Sequence, residues 1–520
     1  MRCGIRHAAI FGCCASEARA AYSGHRGNVG RFFPASESPV KFIQGCSPRS
    51  ALRFVAAACA FFWLCAILLA SPALARDAAG SAPVTALSWL AQGSASVPAG
   101  STGSGEPREA GGAPENAAAN GSQTQAYSLP PERAAQAIAY ARARHQLYFL
   151  DFAYSVLVLL MLLRWRVAPA FRDWAERALR SRLGQAAIFA PALLLTLGVL
   201  GLPGDVASQW LARHFAQSIQ GWGSWLWDWS KGELAGAFFG VLLVWLFYAV
   251  VRRSPRGWWI YAWLGAVPII VFVVFVSPLV IEPMFFRFRP LAESDPQLAA
   301  QLERVVARAG QDIPASRMFE MNASTKLNEL NAYVTGLGAS RRVVVWDTTI
   351  ARMTTPEILL VFGHEMGHYV LGHIRDGIIF SAAMLLAALF AGQRALRWTL
   401  GRYGEGWGVR GAGDWASLPV LLLLFLLFSF VFTPFDNAYS RHLEHQADQY
   451  GLEVVHGIIP DTPAVAAQSF QILGEVDLEE PAPSWAVKIW FYTHPSINDR
   501  IIFARTYDPW SGGKSPRFVK

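Results

Sequence analysis

The chain has 520 residues, 53% of them hydrophobic, with 20 Trp and only 16% charged residues. That balance excludes a large soluble protein and fits apolar runs held in a bilayer. The net charge of +8 does not indicate a nucleic-acid partner, because no basic stretch carries a docking motif and Arg-rich cytoplasmic loops account for it.

Residues 1–51 show no period and are expected to be irregular. In 52–75, Arg53 precedes an apolar core that ends at Ala73-Leu74-Ala75, the layout of a signal peptide. Fifty residues lie ahead of it, so two readings stand: a signal behind a misassigned start, or an uncleaved first membrane helix. Residues 76–129, rich in Ala, Gly, Ser and Pro, read as a disordered linker. Pro130-Pro131-Glu132 then opens a helix, with Pro and an acid in its first turn.

An N-terminal membrane domain is expected over 130–281, with spans near 148–164, 186–203, 235–251 and 258–281. A polar block follows at 282–376. Two more spans fall within 377–434, near 377–392 and 417–434, and a second polar block covers 435–520. The loops after the first, third and fifth of these spans carry most of the Arg, including Arg172, Arg252, Arg256 and Arg410. The positive-inside rule puts these loops in the cytoplasm and both polar blocks on the outer side.

The first polar block holds His364-Glu365-Met366-Gly367-His368. Residues four apart share a helix face, so His364 and His368 can reach one metal ion while Glu365 takes a proton from a water held there. This is the zincin arrangement. Thr354-Thr355-Pro356-Glu357 supplies the start of that helix. All six cysteines precede residue 66, so a metal here must be held by His and carboxylate, which favours one zinc or a similar divalent ion.

The second polar block offers a third ligand. Glu444 and Asp448 share one helix face; Glu444 can ligate, and Asp448 can hydrogen-bond a ligating imidazole. His442 or His445 is the rival third ligand, and a merely charged, exposed helix would also explain this stretch. His373 stands five residues beyond His368 and is expected to pack or support rather than ligate.

Several blocks together carry a resemblance: Asn331-Ala332-Tyr333-Val334-Thr335-Gly336 leading into Arg342-Val343-Val344-Val345-Trp346-Asp347-Thr348, the Gly363–His368 motif with Gly372-His373, Ser440-Arg441 through Glu444 to Asp448, and Tyr492-Thr493-His494-Pro495-Ser496 with Arg500. Over about residues 130–505 the chain resembles the integral-membrane zinc endopeptidases of the CAAX prenyl protease type, with HtpX-like proteases as more distant relatives. The resemblance implies His364, His368 and Glu444 as ligands of one Zn2+, Glu365 as general base, Asn331 as a holder of the substrate backbone, and His494 and Arg500 as active-site residues. The strand pair around Asn331 would bind an extended peptide by β-addition.

The expected fold is an α-helical multispan membrane protein of six to seven transmembrane helices. Its small α+β zincin-type domain is split by a transmembrane helical pair. The expected function is hydrolysis of peptide bonds in membrane-associated proteins or peptides, with lipid-modified substrates suggested by the family, in a bacterial inner membrane. The eukaryotic proteases of this type face the cytosol, whereas the arginine distribution here points outward. Two alternatives are a quality-control protease on the same fold and a transporter or scaffold with a degenerate site.

Overall fold

The computed structural model describes residues 125–519, except 281–282, 284–285, 326–329 and 337–340. The irregular segment 1–51, the signal-like segment 52–75 and most of the expected linker lie outside the described residues.

Helix α1 (Pro131–Arg164) begins at the expected Pro-Pro-Glu. It is followed by α2 (Val167–Ala178), α3 (Arg182–His214), α4 (Trp222–Arg253) and α5 (Trp258–Val280). Further along come α10 (His373–Trp407) and α11 (Leu418–Val455). Five of these, α1, α3, α4, α10 and α11, are long and apolar enough to cross a membrane. With the apolar α5, they fill the six places expected after residue 130. The five long ones far exceed their apolar runs, because the hydrophobic stretch marks bilayer depth and not the end of the hydrogen-bonded helix.

The basic loops gather at one end of the bundle. The buried Arg172 on α2 pairs with Asp414 at 2.6 Å and donates to Gly408 O at 2.9 Å. Arg252, after α4, donates to Gly413 O and lies 4.0 Å over the ring of the buried Trp415. Arg410 bridges back to Glu176 and Asp173. The three Arg-rich loops thus meet around the α10–α11 turn.

The catalytic region lies at the other helix ends. A four-stranded sheet has the order β1-β2-β4-β3, with β1 (Phe288–Pro290), β2 (Met318–Met321), β3 (Ala332–Thr335) and β4 (Arg342–Trp346). β2 and β4 run parallel, and β3 pairs antiparallel with β4 as an edge strand. Around it lie α6 (Leu291–Ser294), α7 (Pro296–Arg308), α8 (Asp347–Arg352), α9 (Thr355–Val370), α12 (Thr462–Asp477), α13 (Trp485–Phe491) and α14 (Ile497–Thr506). Leu302, Val305, Val343, Val345, Phe362 and Ile501 share one buried core, so both polar blocks build a single domain.

Two expectations shift. The linker was expected to extend to residue 129, but Tyr127 is fully buried in the catalytic core. Its backbone N–H and that of Ala126 donate to Asn498 Oδ1. A single aromatic in a small-residue stretch supplies enough apolar area to anchor it. The boundary expected at 434/435 falls inside α11, which continues through Pro434 to Val455. Composition changes there from apolar to polar, but the helix leaves the bilayer without breaking.

Candidate active site

Helix α9 carries the H-E-x-x-H motif. Its N-terminus is fixed where Glu357 Oε2 accepts the Thr354 backbone N–H at 2.7 Å, with Pro356 in the first turn. It packs against α11 through glycines. A Cβ on Gly451 would stand 2.9 Å from His364 N, and one on Gly367 would stand 3.0 Å from Tyr450 Cβ. This close approach brings Glu444 of α11 to the two histidines of α9.

Four donor atoms converge. His364 Nε2 lies 3.1 Å from His368 Nε2 and 3.1 Å from Glu444 Oε2. His368 Nε2 is 3.4 Å from Glu444 Oε2, and His494 Nε2 is 3.1 Å from the same oxygen. His364, Glu444 and His494 form a group able to hold a metal ion, and His368 joins it through these short separations. Nitrogen and oxygen donors about 2.0–2.1 Å from a tetrahedral ion stand about 3.3–3.4 Å apart, so the spacing fits one cation. Glu444 Oε2 is also buried without a hydrogen-bond partner among the described residues. A buried carboxylate oxygen faced by three imidazole nitrogens is a favourable place for a cation. The donor set therefore fits a divalent metal.

The supporting groups are equally specific. His364 Nδ1 lies 2.8 Å from Asp448 Oδ1. Arg500 grips that carboxylate with two hydrogen bonds, Nε to Oδ2 at 2.9 Å and Nη2 to Oδ1 at 2.6 Å. Burial works against a charged His364, but the carboxylates of Asp448 and Glu444 beside it outweigh it and hold the imidazole up at about 10. Burial raises the Glu365 carboxyl above its usual range, although His364 and His368 pull the other way. A raised carboxyl is the better proton acceptor.

The expected site residues divide accordingly. His364, His368, Glu444 and His494 come together, and Glu365 lies beside them on α9. Asp448 stands behind His364. Arg500 was expected to line the active site but is instead buried behind Asp448, its guanidinium 4.1 Å over the Phe470 ring. A buried carboxylate needs a cation more than the reaction centre does. Asn331 sits at the start of the edge strand, its backbone bracketed by Thr349, whose Oγ1 accepts Asn331 N–H at 2.6 Å and donates to Asn331 O at 2.9 Å. Of the rival third ligands, His442 is exposed and bonded to Gln446, and His445 packs 4.5 Å from the Phe503 ring. Thr349, Gln446 and Gly451 went unnoticed in the sequence. Only helical spacing hinted at two of them: Gln446 stands four residues after His442, and Gly451 seven after Glu444.

Residues 292–508 match the model of peptidase family M48. Residues 121–287 match a model described as CAAX prenyl protease N-terminal, five membrane helices. YhfN of Bacillus subtilis (strain 168), named an uncharacterized metalloprotease, is 34% identical over 373 residues, covering 72% of this chain and 85% of that protein. The Homo sapiens CAAX prenyl protease 1 homolog is 23% identical over 394 residues, covering 66% of this chain and 78% of its own length. The crystal structure of S. mikatae Ste24p shares the fold, with a TM-score of 0.62 and 21% identity, over 74% of this chain and 91% of that one.

Proposed function

The chain belongs to peptidase family M48, as a membrane-embedded metalloprotease, and on that premise we propose a zinc endopeptidase that cuts membrane-associated proteins or peptides. His364, His368 and Glu444 hold the ion, and the observation that carries this is the buried Glu444 oxygen with three imidazole nitrogens 3.1–3.4 Å away and no hydrogen bond. His494 is kept out of the ligand set because its side chain is 37% exposed, against 10%, 21% and 11% for His364, His368 and Glu444. A catalytic zinc keeps one position open.

Bound zinc supplies a Lewis acid for the scissile carbonyl and makes water a nucleophile near neutral pH. Glu365 takes the proton of the attacking water and returns it to the leaving nitrogen. His494, with Nδ1 2.9 Å from the Thr493 hydroxyl, presents Nε2 to the oxyanion. Asp448 and Arg500 orient His364. Asn331 and the edge strand β3 hold the substrate in extended form.

The membrane is proposed to be a bacterial cell (inner) membrane, with the site facing away from the cytoplasm. The Arg-rich loops joined at the far end of the bundle support that orientation. The names of several relatives suggest lipidated CAAX substrates, but the outward orientation favours exported or membrane-spanning ones.

The test pairs two variants of the full chain in detergent. Glu365→Gln should keep one zinc per chain and lose cleavage of an unfolded test protein. Glu444→Ala should lose the zinc. A wild type that neither holds zinc nor cleaves refutes the proposal.

A further inference from the structure

His368 reaches the donor cluster through Nε2, so its other nitrogen must carry the ring proton if Nε2 is to offer a lone pair. His364 meets this need with a carboxylate, Asp448. His368 does not. Its Nδ1 lies 3.1 Å from Nδ1 of the buried His373. Two unprotonated or two protonated nitrogens at that distance would repel, so one donates and the other accepts.

The rest of the chain of contacts decides which. His373 Nε2 lies 3.2 Å from Gln446 Oε1. An amide oxygen only accepts, so His373 carries its proton on Nε2. As a neutral imidazole, it leaves Nδ1 as an acceptor, and the proton between the two rings belongs to His368. Gln446 Nε2 lies 2.9 Å from Nε2 of the exposed His442, one helical turn away on α11, and the amide is oriented as a donor there when His442 carries its own proton on Nδ1. With the amide reversed, every donor would become an acceptor. His368 would then carry its proton on Nε2, aimed at Glu444, where it would exclude a cation. Gly372, at φ +77°, makes the sharp corner that returns His373 to His368.

We propose that His373, Gln446 and His442 form a directional hydrogen-bond chain that fixes His368 in its metal-competent tautomer, so that His373 and Gln446 are positioning residues for the metal; this rests on the reading of His368 as a ligand. The device is neutral. A second carboxylate behind His368 would add negative charge beside Glu365 and Glu444, and an amide orients the ring without it.

The experiment measures zinc dissociation constants of the full chain in detergent by chelator competition. Gln446→Leu and His373→Phe should each weaken binding about 10- to 100-fold. The double variant should be no weaker than the poorer single, because both act through one chain of bonds. Gln446→Glu keeps the acceptor for His373 and should stay within about threefold of wild type, by the same linkage. Losses that add in the double variant, a Gln446→Leu protein with wild-type affinity, or a Gln446→Glu protein as weak as Gln446→Leu each overturn the inference. A wild type that takes up no zinc overturns the reading of the site and this inference with it. Zinc-binding wild type beside equally tight variants overturns the inference alone.

Discussion

Replacing Gly451 by Ala perturbs the site without touching a candidate ligand. The new Cβ would stand 2.9 Å from His364 N and 3.2 Å from His364 Cα, and both are backbone atoms that no rotamer change can move. Ordinary contact begins at 3.4 Å, so α11 must retreat from α9 by at least 3.4 − 2.9 = 0.5 Å. Glu444 lies two turns away on the same helix and retreats with it. Metal–donor distances tolerate about 0.2 Å, so the retreat opens the donor set beyond that limit. Overpacking of this kind costs about 1–3 kcal/mol. If the donor set carries that strain, zinc affinity falls about 5- to 140-fold. Chelator competition measures the affinity, and turnover of a fluorogenic peptide follows it. Gly401→Ala on α10 is the control: its Cβ meets nothing within 4 Å, so affinity should not change. A folded Gly451→Ala protein with wild-type zinc affinity would refute the idea that glycine contact sets the α9–α11 spacing.

Arg500→Leu removes the two guanidinium hydrogen bonds to the buried Asp448 carboxylate and leaves it only the His364 imidazole, at a cost of about 3–5 kcal/mol. Thermal unfolding should show this as a large loss of stability, and unchanged stability would return Arg500 to the reaction itself. Thr349→Val removes the hydroxyl that brackets Asn331, at about 1–3 kcal/mol for the Asn331 N–H left unpaired, since Trp346 N–H still donates to its carbonyl. KM should rise while zinc content holds, with Thr349→Ser restoring it; a lost zinc would contradict the assignment. The His364 imidazole, held up at about 10 in the folded protein against about 6.5 unfolded, gives a pH prediction. Its stabilisation of the metal-free protein is complete below about pH 6.5 and drains away as pH rises through 10. Zinc must displace that proton, so apparent affinity should climb about tenfold per pH unit between 6.5 and 8.5. A flat profile in chelator competition would show that His364 holds no proton there.

The metal-facing half of the site was legible because its spacing is local. His364, Glu365 and His368 are fixed by helical periodicity, and so is the placing of Glu444 and Asp448 on one face. The apolar runs were legible for the same reason. What could not be read was what faces what across elements. Arg500 looks the same in sequence whether it meets a substrate or Asp448, and only the packing of α14 against α11 decides. Gln446 is one more polar residue in a charged stretch until His373 is brought to it by the corner at Gly372. Tyr127 belongs by composition to a linker. Its burial depends on a slot beside Gly474, where a Cβ would lie 2.8 Å from the tyrosine ring.

The continuity of α11 has a consequence for how the chemistry meets the membrane. One unbroken helix carries the apolar run Leu418–Val431, then Glu444, Asp448 and the buried Glu453, whose carboxylate accepts the backbone N–H groups of Arg517, Phe518 and Val519. Helix α10 starts at His373, which touches His368, and then runs through the bilayer to the Arg-rich end. The two candidate ligand imidazoles of α9 are therefore each steered by a membrane-crossing helix, His364 through Asp448 of α11 and His368 through His373 of α10. An α-helix is stiff along its axis. A sliding of α10 against α11 within the bilayer would thus be felt directly as a misalignment of the two imidazoles. That couples the donor set to the helix packing of the membrane domain, and it gives a physical reason for the catalytic domain to be split around this pair rather than appended after it.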